Sequence, residues 1–206
     1  GNIWYNEPKT LDVAFDVIGD IVLSAASQQY GGFTVPSVDY ILAPYAEKSY
    51  QKYLEKYLRL GIAQDVAEAE AMNDVEKEME QGFQGWEYKF NTVASSRGDY
   101  PFITVTTGLG TEPYEKMATA AMLRIRMGGQ GKKECKKPVL FPKIVFLYDK
   151  EIHGEGKVSE DLFKLGVECS KKTMYPDWLS LSGEGYVAEM YKKYGRVISP
   201  MGCRAF

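Results

Sequence analysis

The residue of this chain with the clearest chemical potential is Cys203, which lies in the segment SPMGCRAF. The preceding run, GRVIS, is rich in β-branched residues and is typical of a strand. Pro200 and Gly202 then favour a tight turn, which would project the sulfur with little side-chain bulk beside it. The residues alone leave open the alternative of a cysteine with no chemical role near a chain end.

The other two cysteines are weaker candidates. Cys135 lies among lysines 132, 133, 136 and 137, whose charges favour a thiolate, although such a loop is usually solvated surface. Cys169 shares a helix face with Leu162 and Leu165 and is expected to be a small buried hydrophobe. An odd number of cysteines with no CxxC pair predicts a reduced compartment, no disulfide framework and no metal site.

A glycine-rich loop, TGLGTEP, could bind phosphate because it follows a strand and opens a helix. A lone GxG is more often only a turn, and the third glycine of a dinucleotide fingerprint is missing. Upstream, the segment NTVASSR offers donors for sugar or phosphate, or a turn that caps its own backbone. The predicted substrate-binding residues are Asn91, Ser95, Ser96, Arg97, Gly108, Gly110 and Thr111.

The elements that must position these residues differ between the two halves of the chain. Residues 1–90 are predicted to be mainly helical, with a first helix from the N-cap Thr10 to the Gly31-Gly32 pair. A second helix is predicted to end near Gly61 and a third, acidic one near Gly82.

Residues 91–206 show strand and helix units. PFITVTTG and KIVFLYD are predicted strands, GRVISP is a third, and a helix capped by Ser159 follows the second. This pattern predicts an α/β fold. No linker divides the chain, so residues 1–206 are predicted to form a single region.

Composition sets limits on function. The chain is 45% hydrophobic and 26% charged, with a net charge of -3, which is ordinary for globular protein and gives no general attraction to nucleic acid. No apolar run is long enough for a membrane span and no signal pattern opens the chain, so a cytoplasmic location is expected. Because the chain begins with Gly1 rather than Met, we expect it to be a piece of a longer protein.

Four segments resemble, in the same order, the class III, anaerobic ribonucleoside-triphosphate reductases. They are SAASQQYGGFTVPSVDYILAPY, NTVASSRGDYPFITVTTG, DLFKLGVECSKKTMYPDW and SPMGCRAF, which resembles the finger-loop motif of the family. The resemblance implies part of a ten-stranded α/β barrel of the glycyl-radical enzyme type, with the early helices packed outside it.

The resemblance also implies a chemistry. Cys203 falls on the cysteine that becomes a thiyl radical and abstracts the 3'-hydrogen of the ribose, and Met201 would line its surroundings. Such a site needs positioning and exclusion of water rather than ionisation of the thiol. The parent enzyme would reduce ribonucleoside triphosphates to 2'-deoxyribonucleoside triphosphates, which supply DNA replication.

The cofactors and partners are likewise implied by the resemblance. No cofactor is expected in this chain; the parent would use a glycyl radical installed by an activase with an iron-sulfur cluster and S-adenosylmethionine. The radical segment and a structural zinc would follow Phe206, and a partner cysteine would precede Gly1. Substrate triphosphates, allosteric nucleotides including ATP, and a homodimer partner are expected, but neither nucleic acid nor membrane. The alternatives are a nucleotide-binding or dimerisation module without activity, and a glycyl-radical enzyme of the pyruvate formate-lyase type.

Overall fold

The computed structural model describes residues 4–29, 31–92, 98, 100 and 102–201. Helices in this part of the chain are Leu11–Ala26 (α1), Val38–Arg59 (α2), Gln64–Thr92 (α3), Pro113–Gly128 (α4), Lys150–His153 (α5), Glu160–Thr173 (α6) and Tyr186–Tyr194 (α7). The strands are Phe33–Val35 (β1), Ile103–Thr107 (β2), Lys143–Tyr148 (β3) and Asp177–Ser180 (β4).

The four strands form one parallel sheet in the order β1-β2-β3-β4. Thr34 lies opposite Thr104, and Val105 lies opposite Ile144, so the register is continuous across the first three strands. Parallel strands need crossover connections, and helices supply them after β1, β2 and β3. The predicted α/β class is therefore confirmed.

One face of the sheet is covered by helices. Val105 and Ile144 belong to a core cluster that includes Phe15 of α1, Leu42 of α2 and Met79 of α3. Phe146, two residues beyond Ile144, packs in a second cluster with residues of α4 and α6. This helical layer buries most of the apolar surface and fixes the sheet.

The opposite face carries a row of hydroxyl groups, since adjacent residues of a strand point to opposite sides. Thr34, Thr104 and Thr106 share this face, which we call the threonine face. Farther across the sheet, Val145 and Leu147 of β3 pack with residues of α7 and with Val197. The segment after α7 therefore lies on the side of the sheet away from the helical layer.

Three local predictions were wrong. The third helix does not end near Gly82 but continues to Thr92, because Phe15 packs against the bare backbone of that glycine. Residues 196–200 form no strand, and Asp177–Ser180 takes the fourth position of the sheet instead. The predicted helical half also contributes a strand, Phe33–Val35, whose short length gave no period in the sequence.

Other predicted elements are confirmed. Strands β2 and β3 and helices α4 and α6 lie where their apolar patterns indicated. Thr10 and Ser159 occupy the N-cap positions of α1 and α6, although neither makes a side-chain capping bond. Among the described residues, no helix combines the length and the apolar character that a membrane span needs.

Candidate functional site

The predicted site residues are distributed unevenly over the structure. Cys203, Ser95, Ser96 and Arg97 lie outside the described residues. Met201, Asn91, Gly108, Gly110 and Thr111 are described, and their surroundings show what each can do.

Residues 196–201, which we call the finger segment, lie on the threonine face. The hydroxyl of Thr34 donates a hydrogen bond to the carbonyl oxygen of Pro200 at 2.8 Å. The hydroxyl oxygens of Thr106 and Ser199 are 3.4 Å apart. Pro200 is buried, so its carbonyl group depends on this bond from β1. The sheet thus holds the chain immediately before Met201.

Met201 lies beside the Gly-Gly turn that precedes β1. A Cβ atom on Gly32 would be 3.6 Å from Cγ of Met201 and only 2.6 Å from the carbonyl oxygen of Phe102. Gly32 also has a φ of 136°, in a region that favours glycine. Glycine at this position therefore lets the finger segment, β1 and β2 approach one another closely.

The glycine loop after β2 is bound by an internal carboxylate. Oδ2 of Asp39, in the first turn of α2, accepts hydrogen bonds from the N–H groups of Gly108 and Gly110, each at 3.0 Å. The N–H group of Glu112 donates to Oε2 of Glu115 at 3.0 Å in a capping box. Thr111 is half-buried between these residues. A phosphate could reach the two glycine N–H groups only if Asp39 moved away.

Asp39 is fully buried, and its Oδ1 has no hydrogen-bond partner among the described residues. Burial raises the pKa of this carboxyl group, because it disfavours the charged form more than the backbone N–H bonds stabilise it. Keeping this buried carboxyl group ionised at the glycine loop therefore costs folding free energy.

His153 holds the same loop from the other side. Its Nε2 lies 2.7 Å from the carbonyl oxygen of Gly108, and its Nδ1 lies 3.1 Å from the backbone nitrogen of Asp149. A neutral ring with its proton on Nε2 satisfies both contacts, donating to Gly108 and accepting from Asp149. Burial lowers the pKa of His153, which favours this neutral form.

Asn91 is used within the protein. Its Oδ1 accepts from the N–H group of Phe141 at 3.1 Å, and its Nδ2 donates to the carbonyl oxygens of Glu87 at 2.5 Å and Phe141 at 2.6 Å. The side chain ties the end of α3 to the segment that leads into β3. Contacts of Asn91 with sugar or phosphate stay a prediction, and would compete with these bonds.

The two described cysteines differ as the sequence indicated. Cys169 is buried on α6 with its Sγ 3.6 Å from the carbonyl oxygen of Leu123, and burial raises the pKa of its thiol. Cys135 is exposed. The described residues contain no cluster of three or more His, Cys, Asp or Glu side chains that could hold a metal ion.

A sequence profile of the anaerobic ribonucleoside-triphosphate reductases matches residues 1–206. The chain belongs to this family. The reductase of Enterobacteria phage T4 is 34% identical over 207 residues, covering 100% of this chain and 33% of its own length. The enzymes of Haemophilus influenzae and Escherichia coli are 36% and 35% identical and are covered over 28% of their length. The chain thus spans a third or less of the length of these relatives. The family match over residues 1–206 rules out the alternative of a pyruvate formate-lyase-type enzyme.

Solved structures support the same reductase fold. The anaerobic ribonucleotide reductase from Thermotoga maritima, determined in complex with dATP and CTP, aligns with a TM-score of 0.55 and 16% identity. The alignment covers 88% of this chain and 30% of that one. A second anaerobic ribonucleotide reductase gives the same TM-score over 86% of this chain and 28% of its own. At this level of identity the comparison shows the fold.

Sequence reasoning missed four residues that shape the site of this reductase chain: Thr34, Thr106, Asp39 and His153. The alternation of threonine with valine in ITVTT does signal a strand with one polar face. Asp39 and His153 gave no such signal, because their partners lie 69 and 45 residues away along the chain.

Proposed function

We propose that this chain is the part of an anaerobic ribonucleoside-triphosphate reductase that carries the radical-bearing cysteine, Cys203. The proposal is supported above all by the finger segment, which β1 and β2 hold on the threonine face just before this cysteine. The family match over residues 1–206 supports the same assignment. The complete protein would convert ribonucleoside triphosphates to their 2'-deoxy forms.

In the proposed reaction the sulfur of Cys203, as a thiyl radical, takes a hydrogen atom from C3' of the ribose. The S–H bond forms, the C3'–H bond breaks, and the unpaired electron moves to the sugar. The 2'-hydroxyl then takes up a proton and leaves as water, a reductant, formate or a thioredoxin-like protein, supplies two electrons, and C2' gains a second proton. The thiol finally returns its hydrogen atom to C3', which regenerates the thiyl radical. Met201 contributes apolar lining that offers no hydrogen atom from an O–H or N–H group.

The contacts with the nucleotide are also proposed. The Thermotoga maritima reductase forms a complex with dATP and CTP, which supports triphosphates as ligands of this chain. Ser95, Ser96, Arg97 and Thr111 are our proposed donors to sugar and phosphate. We propose that Asn91, Gly108 and Gly110 also contact the nucleotide, which requires that each first break its hydrogen bonds within the protein.

The remaining proposals concern the complete reductase. We propose that its strands complete a ten-stranded barrel, that it forms a homodimer in the cytoplasm, and that allosteric nucleotides regulate it. An iron-sulfur activase using S-adenosylmethionine would install its glycyl radical, and a structural zinc would lie outside this chain.

The decisive test is the variant Cys203→Ser in the full-length parent, treated with its activase under anaerobic conditions. An O–H bond is much stronger than an S–H bond, so the serine cannot pass the radical on. We expect the glycyl-radical signal in electron paramagnetic resonance at normal intensity and no deoxynucleotide product. The matched control, Cys135→Ser, changes an exposed thiol and should retain activity. Turnover by Cys203→Ser with an intact radical would refute the proposal.

A further inference from the structure

We propose that Thr34 and Thr106 are positioning residues for Cys203, because they hold the finger segment that leads to this cysteine against the sheet. This inference rests on the proposed function, because it assigns the two hydroxyl groups a role in placing the reactive sulfur. It adds to that function two residues that the sequence patterns did not indicate.

The bond from Thr34 anchors the finger segment at Pro200, three residues before the cysteine. Proline has no N–H group, so the carbonyl oxygen is the only backbone hydrogen-bonding group of Pro200. That oxygen accepts from Thr34 at 2.8 Å within a buried residue. Cys203 follows three residues later, which limits its Cα to about 11 Å from that of Pro200. We therefore expect a shift of this anchor to displace the thiol.

Thr106 joins the finger segment to two further elements. Its hydroxyl oxygen accepts from the N–H group of Ser37 at 2.8 Å and lies 3.4 Å from the hydroxyl of Ser199. Ser37 has a φ of 48°, an uncommon value for a residue other than glycine, at the turn between β1 and α2. One hydroxyl group thus fixes the end of β1, the start of α2 and the finger segment relative to β2.

The choice of threonine in these strands is informative. Valine has the same shape and suits a strand equally well, and it occupies the neighbouring positions 35 and 105. A buried hydroxyl group costs free energy unless it is hydrogen-bonded, so threonine on a buried strand face indicates a polar partner. For the half-buried Thr34 that partner is Pro200 of the finger segment, and for the fully buried Thr106 the partners are Ser37 and Ser199 of the finger segment.

A third threonine of the same strand provides a matched control. Thr107 is the next residue after Thr106, and its side chain points to the helical layer, where its hydroxyl oxygen lies 2.6 Å from that of Thr119 on α4. Both threonines of this pair are fully buried. Thr107→Val removes a buried hydroxyl, as Thr106→Val does, but leaves the finger segment untouched.

The experiment compares Thr34→Val, Thr106→Val, Thr107→Val and Thr34→Ser in the full-length parent. For each variant the glycyl radical is quantified by electron paramagnetic resonance, kcat and KM are measured for a ribonucleoside triphosphate, and the thermal unfolding temperature is recorded. We expect kcat to fall on the order of 10²-fold in the first two variants, since small displacements of a reacting group have effects of this size. The radical yield and KM should stay within about twofold of wild type.

Thr34→Ser keeps the hydroxyl and should restore most of the lost kcat, whereas Thr107→Val should lower the unfolding temperature but keep kcat. Equal losses of kcat in Thr107→Val and Thr106→Val would show that the loss comes from lower protein stability and not from the finger segment, and would overturn the inference. So would a wild-type kcat in either Thr34→Val or Thr106→Val, or a rise in KM alone. If either Thr34→Val or Thr106→Val does not fold, the kcat of the other variant still tests the inference. Activity in Cys203→Ser would instead refute the proposed function, so the two failures are distinguishable.

Discussion

At the scale of single residues, the buried carboxylate of Asp39 gives the stability a specific pH dependence. Its pKa is raised in the folded protein, above an unfolded value of about 3.9, so the folded state binds this proton more tightly. The protonated carboxyl group therefore contributes stability at low pH. This contribution is lost as pH rises through the folded-state pKa and the group ionises. We expect the free energy of unfolding of the wild-type chain, relative to Asp39→Asn, to fall as pH rises above about 4.

Urea unfolding of both chains at several pH values measures this difference. Asp161→Asn is a control of opposite sign. Burial tends to raise the pKa of Asp161, but its hydrogen bond and ion pair with Lys116 outweigh burial and lower it. The wild-type chain should therefore lose stability relative to Asp161→Asn as pH falls below about 5. A pH-independent difference for Asp39→Asn would contradict the burial argument.

A second prediction at this scale concerns the buried ion pair of Arg126 and Glu87. Nε of Arg126 lies 2.7 Å from Oε1 of Glu87, and the two side chains are 1% and 4% exposed. Removing one member leaves a buried charge uncompensated, so Arg126→Met should lower the free energy of unfolding by about 3–5 kcal/mol. In the surface pair of Arg124 and Glu76, Nη1 of the arginine also lies 2.7 Å from Oε1 of the glutamate, yet the two side chains are 46% and 43% exposed.

Denaturant unfolding should therefore show a loss below about 1 kcal/mol for Arg124→Met, the control two residues away. Adding Glu87→Leu to Arg126→Met should recover part of the lost stability, because both buried charges are then absent. Similar losses for the two arginine variants would show that burial does not set the strength of these pairs.

At the scale of elements, the contact of α1 with α3 depends on one of two glycines in α3. A Cβ atom on Gly82 would lie 2.2 Å from the ring of Phe15, whereas one on Gly85 would meet nothing within 4 Å. Phe15 is held in place by edge contacts with Phe83 and Trp86, at centroid distances of 5.0 and 4.9 Å. The ring therefore has little freedom to move aside.

Gly82→Ala should push α1 away from α3 and lower the free energy of unfolding by about 1–3 kcal/mol, despite the better helix propensity of alanine. Gly85→Ala should raise it by up to about 1 kcal/mol, because only the propensity changes. Unfolding in urea distinguishes the two variants. A stabilising Gly82→Ala would mean that the helices do not pack through this glycine.

At the scale of the whole molecule, the sheet separates a helical layer from the face that holds the finger segment. The chain spans 28–33% of the relatives compared with it, and under the proposed function the glycyl-radical segment and the partner cysteine would belong to the rest of the parent protein. We therefore expect the purified chain to produce no deoxynucleotide in an anaerobic assay, with or without activase. Product formation by the chain alone would show that it contains a complete radical site.

The sequence by itself determined the family, the α/β class and the long periodic elements, because motif order and the periods of helices and strands are local properties. It also placed Cys169 correctly on a buried helix face. It could not show that Gly82 lies inside a helix, since a glycine that a distant phenylalanine covers has the same local pattern as a helix end.

Only the tertiary structure decided which groups surround the candidate site. Thr34 and Pro200 are 166 residues apart, and Asp39 lies 69 residues from the loop that it binds. Alternation along a strand predicts that one face is polar but not what covers that face. Those partners follow from the crossover connections of the sheet, which bring residues together over sequence distances that no local pattern spans.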